Sequence, residues 1–216
     1  MRRLGRPNSN DYDRRVASDA LAADRFLIDQ LIRPVVNLYR VTPLAAGDTP
    51  AGPPVAFVRQ KRLALKEDIR VFSDESEAEE LFRIKARQML DVRGRFDVTA
   101  PGGEAIGSLE KVFRRSLFRS TWKVLGADGS ELAVVEERSL PVAVLRRAID
   151  LVPYGELVPI LFHFTIRENG RVLGDFTRRW GLRDRYVLDL AGDTERKLDR
   201  RLAIALAVVL DALQGR

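Results

Sequence analysis

Leu198-Asp199-Arg200-Arg201-Leu202-Ala203-Ile204-Ala205-Leu206-Ala207-Val208-Val209-Leu210-Asp211-Ala212-Leu213 is helical in composition and apolar on every side from Leu202 to Leu210. A helix without a polar face must be enclosed by protein or by lipid. The uninterrupted apolar run of nine residues falls well short of the roughly 20 that cross a bilayer, so protein is the better enclosure. Burying Leu202, Ile204, Leu206, Val208, Val209, Leu210 and Leu213 would contribute on the order of 10 to 20 kcal/mol before chain entropy is subtracted. A helix threaded through the middle of a β-structure is therefore expected to organise the core.

Upstream of it, from Val55 onward, short strand-like runs recur at a spacing of roughly 8 to 12 residues, the rhythm of a sandwich or barrel. The clearest are Leu81–Ala86, Phe96–Thr99, Ala105–Phe113, Thr121–Leu125, Leu132–Val135, Phe162–Ile166 and Tyr186–Leu188. Between them stand Arg93-Gly94, Pro101-Gly102-Gly103, Ala127-Asp128-Gly129 and Glu168-Asn169-Gly170. Asp-Gly and Asn-Gly supply the positive φ of two-residue hairpins, so antiparallel pairing is expected. Pro141–Leu151 fits a short helix or a strand equally well by periodicity.

The first ten residues show no periodicity, whereas Asp11 to Arg33 carries Val16, Ala20, Ala23, Leu27 and Leu31 at helical spacing and ends at Pro34. Ala45 to Pro54 is rich in Ala, Gly and Pro and has the composition of a linker. The expected organisation is a helical extension with linker over 1–54 and a β-domain over 55–216.

The chain has 216 residues, 31% of them charged, a formal charge of +6 and no cysteine. Zero cysteine excludes disulfides, thiolate zinc sites and cysteine nucleophiles. His163 is the only histidine, which excludes sites built on several imidazoles. It alternates with Phe162 and Phe164, so it faces away from both, as a solvent-facing or hydrogen-bonded structural residue. Ser116, Ser120 and Ser139 have no neighbouring base, and there is no phosphate loop or dinucleotide fingerprint. No catalytic constellation and no cofactor are expected. With 31 acidic residues interspersed among 37 basic ones, the basic bias is mild, and no nucleic-acid partner is expected. Arg2 to Pro7 leads into polar residues and not an apolar signal core, so the expected compartment is the cytoplasm, peripheral to the membrane if a lipid is bound.

Several stretches together resemble the LURP-one-related and phospholipid scramblase-like branch of the Tubby C-terminal-like superfamily, in a bacterial-type form. They are Phe57-Val58-Arg59-Gln60-Lys61, Phe82-Arg83-Ile84-Lys85, Asp91-Val92-Arg93-Gly94 and Gly103 to Leu109. Further along come Phe164-Thr165-Ile166, Asn169 to Gly174, Arg179-Trp180, Tyr186 to Asp189 and the terminal helix between Asp199 and Asp211. The resemblance covers about residues 55 to 214 and rests on the order of these motifs. It implies a mainly β fold, a closed antiparallel barrel of about 12 strands enclosing the C-terminal helix. It also implies a binding role, because Tubby domains hold phosphoinositides on basic side chains and scramblases are membrane-associated. The palmitoylated cysteine cluster expected of a scramblase is absent. Asp184, Asp189, Asp193, Glu195 and Asp199 lack the spacing of a calcium loop, so no metal site is expected, and Asp193 or Asp199 is read as a helix cap.

Lys111 to Lys123 holds five basic residues and no acidic one, interleaved with Phe113, Phe118 and Trp122. Lys111, Arg114, Arg115, Arg119 and Lys123 are the expected contacts for an anionic phospholipid headgroup or another phosphate-bearing ligand. The competing reading is a hairpin with outward arginines and core aromatics. Arg167, Arg171, Arg178, Arg179, Arg183 and Arg185 form a second basic group, diluted by Glu168, Asp175 and Asp184 and expected to make surface ion pairs. Residues 11–33 are expected to dock on the chain's own barrel or on a second copy, or to contact a protein partner, because a polar face that mixes both charge signs disfavours a membrane-surface helix. A non-enzymatic binding module is the leading expectation, and a scaffold acting through the N-terminal helix is the alternative.

Overall fold

The computed structural model describes residues 21–32, 36–61, 68–87, 94–112, 120–138, 163–179 and 184–214. Twelve antiparallel strands form a closed barrel: β1 (Arg25–Ile32), β2 (Val36–Pro43), β3 (Ala56–Lys61), β4 (Asp68–Phe72), β5 (Glu80–Ala86) and β6 (Arg95–Thr99), followed by β7 (Ala105–Val112), β8 (Thr121–Gly126), β9 (Glu131–Glu137), β10 (His163–Glu168), β11 (Arg171–Arg179) and β12 (Arg185–Asp189). Each strand pairs with its neighbours in sequence, and β1 pairs with β12 to shut the sheet. Closure removes both sheet edges, which would otherwise present unpaired backbone groups. The helix α1 (Arg200–Gln214) runs through the middle.

Alternation along each strand explains the lumen. Phe26 and Ile28, Tyr39 and Val41, Phe82 and Ile84, and Phe164 and Ile166 are all at most 1% exposed, and their even spacing sends them to one face. Arg25, Arg40, Arg83 and Arg167, each one position from these, lie on the other. Every residue from Leu202 to Leu210 is also at most 1% exposed, so the helix with no polar face has an apolar wall on every side. At Gly107 the wall comes close to the helix: a Cβ there would stand 2.9 Å from Leu202 Cδ1 and 2.2 Å from the Leu125 carbonyl oxygen.

Of the two expected two-residue turns, Asn169-Gly170 forms one, whereas Asp128-Gly129 sits in a four-residue connection, 127–130, in which only Gly129 has a positive φ, 82°. Asn169 and Gly170 have φ of 47° and 86° between Glu168 and Arg171, which pair across β10 and β11. That is the doubly positive conformation of a two-residue hairpin.

Two expectations about the N-terminal region are corrected. Residues 25–32 are strand β1, not the end of a helix. Phe26-Leu27-Ile28 and Leu31-Ile32 satisfy a period of two as well as one of 3.6, and pairing with both β12 and β2 decides between them. The Ala45–Pro54 stretch is not a boundary between domains. It joins β2 to β3 inside the barrel and is tied back by Ala51 N–H donating to Pro43 O and Val55 N–H to Val41 O, both at 2.8 Å. Pro and Gly mark a strand connection and an interdomain linker alike. The remainder of the expected N-terminal helix, residues 11–20, and the ambiguous stretch 141–151 lie outside the described residues.

Candidate functional site

At the start of α1, charge is fully paired. Asp193, with a side chain 1% exposed, accepts from Arg200 Nη1 at 2.5 Å and from the Lys197 and Leu198 N–H groups at 3.0 and 3.1 Å. Arg200 Nη2 reaches Asp24 at 2.7 Å, linking the helix to the residue before β1. Asp199 accepts the Arg201 N–H at 2.8 Å, the capping role expected of it. Asp193 instead orders the loop before the helix. Among the described residues, no group of three or more His, Asp or Glu side chains is placed to hold a metal ion.

The far end of α1 is different. Asp211 is 9% exposed and accepts hydrogen bonds from Tyr39 of β2, at 2.7 Å, and from Tyr186 of β12. Tyr39 also lies 3.1 Å from Gln60 Oε1 on β3, and Gln30 of β1 donates to it at 3.4 Å. Burial pushes the Asp211 carboxyl above its usual range against the two hydroxyl donors. Burial and the neighbouring carboxylate push the Tyr186 phenol up as well. This polar network had one signal in the sequence: an aspartate directly after nine apolar residues. The tyrosines that meet it come from strands 172 and 25 residues away along the chain, a relationship that composition does not carry.

The proposed headgroup residues are divided by the wall. Lys111 pairs with Trp122, and Glu110 with Lys123, across β7 and β8. Lys111 therefore shares the inward row of Leu109, with its Nζ 5.9 Å from the Trp122 ring centroid, a cation–π distance. Lys123 lies on the outer face, 2.7 Å from Glu131. Trp122 is 1% exposed and packs beside Phe96, so it belongs to the core and not to a headgroup-facing surface. Arg114, Arg115 and Arg119, with Phe113 and Phe118, lie outside the described residues.

The rest of the wall's cations are largely engaged. Arg40 meets Glu75 at 2.5 Å, Arg59 meets Glu77 at 3.0 Å and Arg87 meets Asp97 at 2.6 Å. In the second basic group Arg171 reaches Glu195, Arg178 pairs with Asp184, Arg179 with Asp48 and Arg185 with Asp29, as expected; Arg183 lies outside the described residues. His163 Nε2 sits 3.0 Å from Asp175 Oδ1, which also accepts the Thr165 hydroxyl at 2.9 Å. It is the hydrogen-bonded surface residue that alternation predicted.

The topology divides the strand connections into two sets, and the sequence distributes charge unevenly between them; most of the first set lies outside the described residues. The connections 33–35, 62–67, 87–94, 113–120, 138–162 and 180–184 join strands at the end where α1 finishes. They contain twelve basic and five acidic residues. The connections 44–55, 73–79, 100–104, 127–130, 169–170 and 190–199, at the opposite end, contain two basic and ten acidic ones. Lys111 and Lys123 stand at the ends of β7 and β8 that border the basic connections. Among the described residues, no helix is long and apolar enough to cross a membrane.

Comparison with curated proteins and with solved structures gives no match. A family model described as LURP-one-related matches residues 55–211, from the start of the β3 region to the last turn of α1. The strands β1 and β2 precede that match yet complete the same barrel. With most of its length so matched, the chain belongs to the LURP-one-related family.

Proposed function

We propose that the chain is a non-enzymatic binding module for anionic phospholipid headgroups or another phosphate-bearing ligand, acting at a membrane surface from the barrel end where α1 finishes. The observation that carries this reading is the uneven charge content of the two sets of strand connections. An anionic surface attracts the basic end and repels the acidic one, so the field selects both the partner and the orientation of approach. The basic connections are also apolar in part, with Phe113, Leu117 and Phe118 beside Arg114, Arg115 and Arg119. Cations for phosphate and bulky apolar groups for the headgroup boundary are what an interfacial contact needs. Lys111 adds to that end, and Lys123, held by Glu131, contributes less. The same reading extends the family relation towards Tubby and scramblase-like proteins.

The test is co-sedimentation of the protein with zwitterionic and with anionic vesicles at low and at physiological salt. Binding to the anionic vesicles alone, weakened by salt, is expected. Equal binding to both, or to neither, would remove the reading. Inositol phosphates in solution that compete for binding would identify the headgroup as the recognised part.

A further inference from the structure

Every neighbouring pair of strands in the barrel is consecutive in the chain except β1 and β12. Each consecutive pair is tethered by its own connection, so two strands that part stay within reach of each other. The joint between β1 and β12 depends instead on the contacts that cross it. Leu190 N–H donates to Asp24 O at 2.7 Å and Gln30 N–H to Asp184 O at 2.9 Å. By antiparallel alternation, the hydrogen-bonded pairs between these are Phe26 with Leu188 and Ile28 with Tyr186. All four are at most 4% exposed and close the lumen over α1.

The outer face of the joint carries a charge problem and its solution. Across β11 and β12, Asp175 stands opposite Asp189 and Arg179 opposite Arg185, and like charges in such pairs repel. The compensating charges come from β1 and from the connection 44–55. Arg25 Nε reaches Asp189 Oδ2 at 2.8 Å, and Asp29 Oδ1 takes Arg185 Nε at 3.3 Å. Gly47 and Asp48, at φ of 74° and 60°, turn the connection so that Asp48 meets two arginines. Its Oδ1 accepts from Arg25 Nη2 at 2.5 Å, and its Oδ2 accepts from Arg179 of β11. Arg25 Nη1 also donates to Ala45 O at 3.2 Å. One carboxylate therefore ties β1 to β11 over the intervening β12, and the connection 44–55 acts as a strap across the joint.

We propose that the joint between β1 and β12 opens while the rest of the barrel stays folded, and that Asp48 of the strap is the clasp that limits the opening. The Asp24 end of β1 is anchored on α1 by Arg200, at 2.7 Å. Parting therefore runs from the Asp29–Arg185 pair towards Arg25, with β1 still paired to β2, and uncovers the flank of α1 behind Phe26 and Ile28. Such an opening is the low-energy kind that leaves most native contacts in place.

The test is native-state amide exchange on the full chain, followed by NMR at increasing sub-denaturing urea. Phe26, Ile28, Tyr186 and Leu188 report the joint, and the amides that pair β7 with β8 report the body of the barrel. The joint amides are expected to exchange faster, with a shallower dependence on urea, because their opening uncovers less surface. Asp48→Ala is expected to speed them about two- to ten-fold without urea. If Asp48→Ala does not fold, Arg179→Gln breaks the clasp from its other side. Leu27 and Val187 stand opposite each other on the outer face, and the chain has no cysteine. Leu27→Cys with Val187→Cys thus places a single disulfide across the joint, and its oxidation is expected to slow the joint amides to the β7–β8 rate. Joint amides that share the rate and urea dependence of the β7–β8 amides in the wild-type protein would overturn the proposal. So would an opening that persists after oxidation, or one that breaking the clasp leaves unchanged.

Discussion

Gly107 of β7 lies so close to Leu202 of α1 that a methyl group on its Cα would stand 2.9 Å from Leu202 Cδ1, and 2.2 Å from the Leu125 carbonyl. The second contact is with backbone of the paired strand β8, which cannot swing aside as a side chain can. Gly107→Ala should therefore destabilise the barrel by about 1–3 kcal/mol, the usual cost of overpacking. Gly52→Ala, where a Cβ meets nothing within 4 Å, serves as the comparison and should change stability little. Urea unfolding of both variants decides the matter: equal midpoints would mean that α1 does not rest on β7 at Gly107.

The ion pair at the start of α1 should cost much more to break than any on the wall. Arg200 and Asp193 have side chains 7% and 1% exposed, and removing the cation leaves a buried carboxylate unpaired. Arg200→Met should lose about 3–5 kcal/mol. Arg59→Met, whose partner Glu77 is shared with solvent, should lose under about 1 kcal/mol. Similar losses in the two variants would show that the helix start is not held by charge.

The dependence of stability on pH has a defined sign at Asp211. Burial raises its carboxyl in the folded state above the unfolded value, so the folded protein binds the proton more tightly. Its contribution is fully present below the unfolded value and is lost as pH rises through the folded one. The stability of the wild-type protein should thus fall, relative to Asp211→Asn, as pH is raised through that interval. Parallel stability curves for the two proteins across the same pH range would contradict it.

β1 and β2 shut the barrel, so a chain that begins at residue 55 should not fold alone. Without them β12 and β3 become exposed edges and α1 loses Tyr39, Phe26 and Ile28 from its surroundings. The expected result is a chain without a cooperative unfolding transition. A sharp transition from that shortened chain would restore residues 1–54 as a separable extension.

The fold was legible wherever one element alone carried the signal. The all-apolar run Leu202–Leu210 required an enclosing shell, and the Asn169-Gly170 turn required a hairpin. The arrangement around the helix followed from the family resemblance. Residues 25–32 defeat a reading by periodicity because their apolar spacing suits a strand and a helix alike, and only the partners Leu188 and Val41 across the sheet resolve it.

The candidate site was less legible, for a related reason. Lys111 and Lys123 fall on opposite faces because register pairs Lys111 with Trp122, and register follows from the whole sheet. The uneven charge of the two sets of connections is written in the sequence, but it becomes readable only once the strands sort the connections into those sets.

The central claim is that the basic end of the barrel holds phosphate-bearing headgroups. Its most direct test is co-sedimentation on anionic vesicles of the wild-type protein and of one variant with Lys111, Arg114, Arg115, Arg119 and Lys123 all changed to Glu, each confirmed as folded by its unfolding transition. The account predicts salt-sensitive binding by the wild-type protein and its loss in the folded variant. Equal binding by the two proteins, or a wild-type protein that stays in the supernatant at low salt, would contradict it.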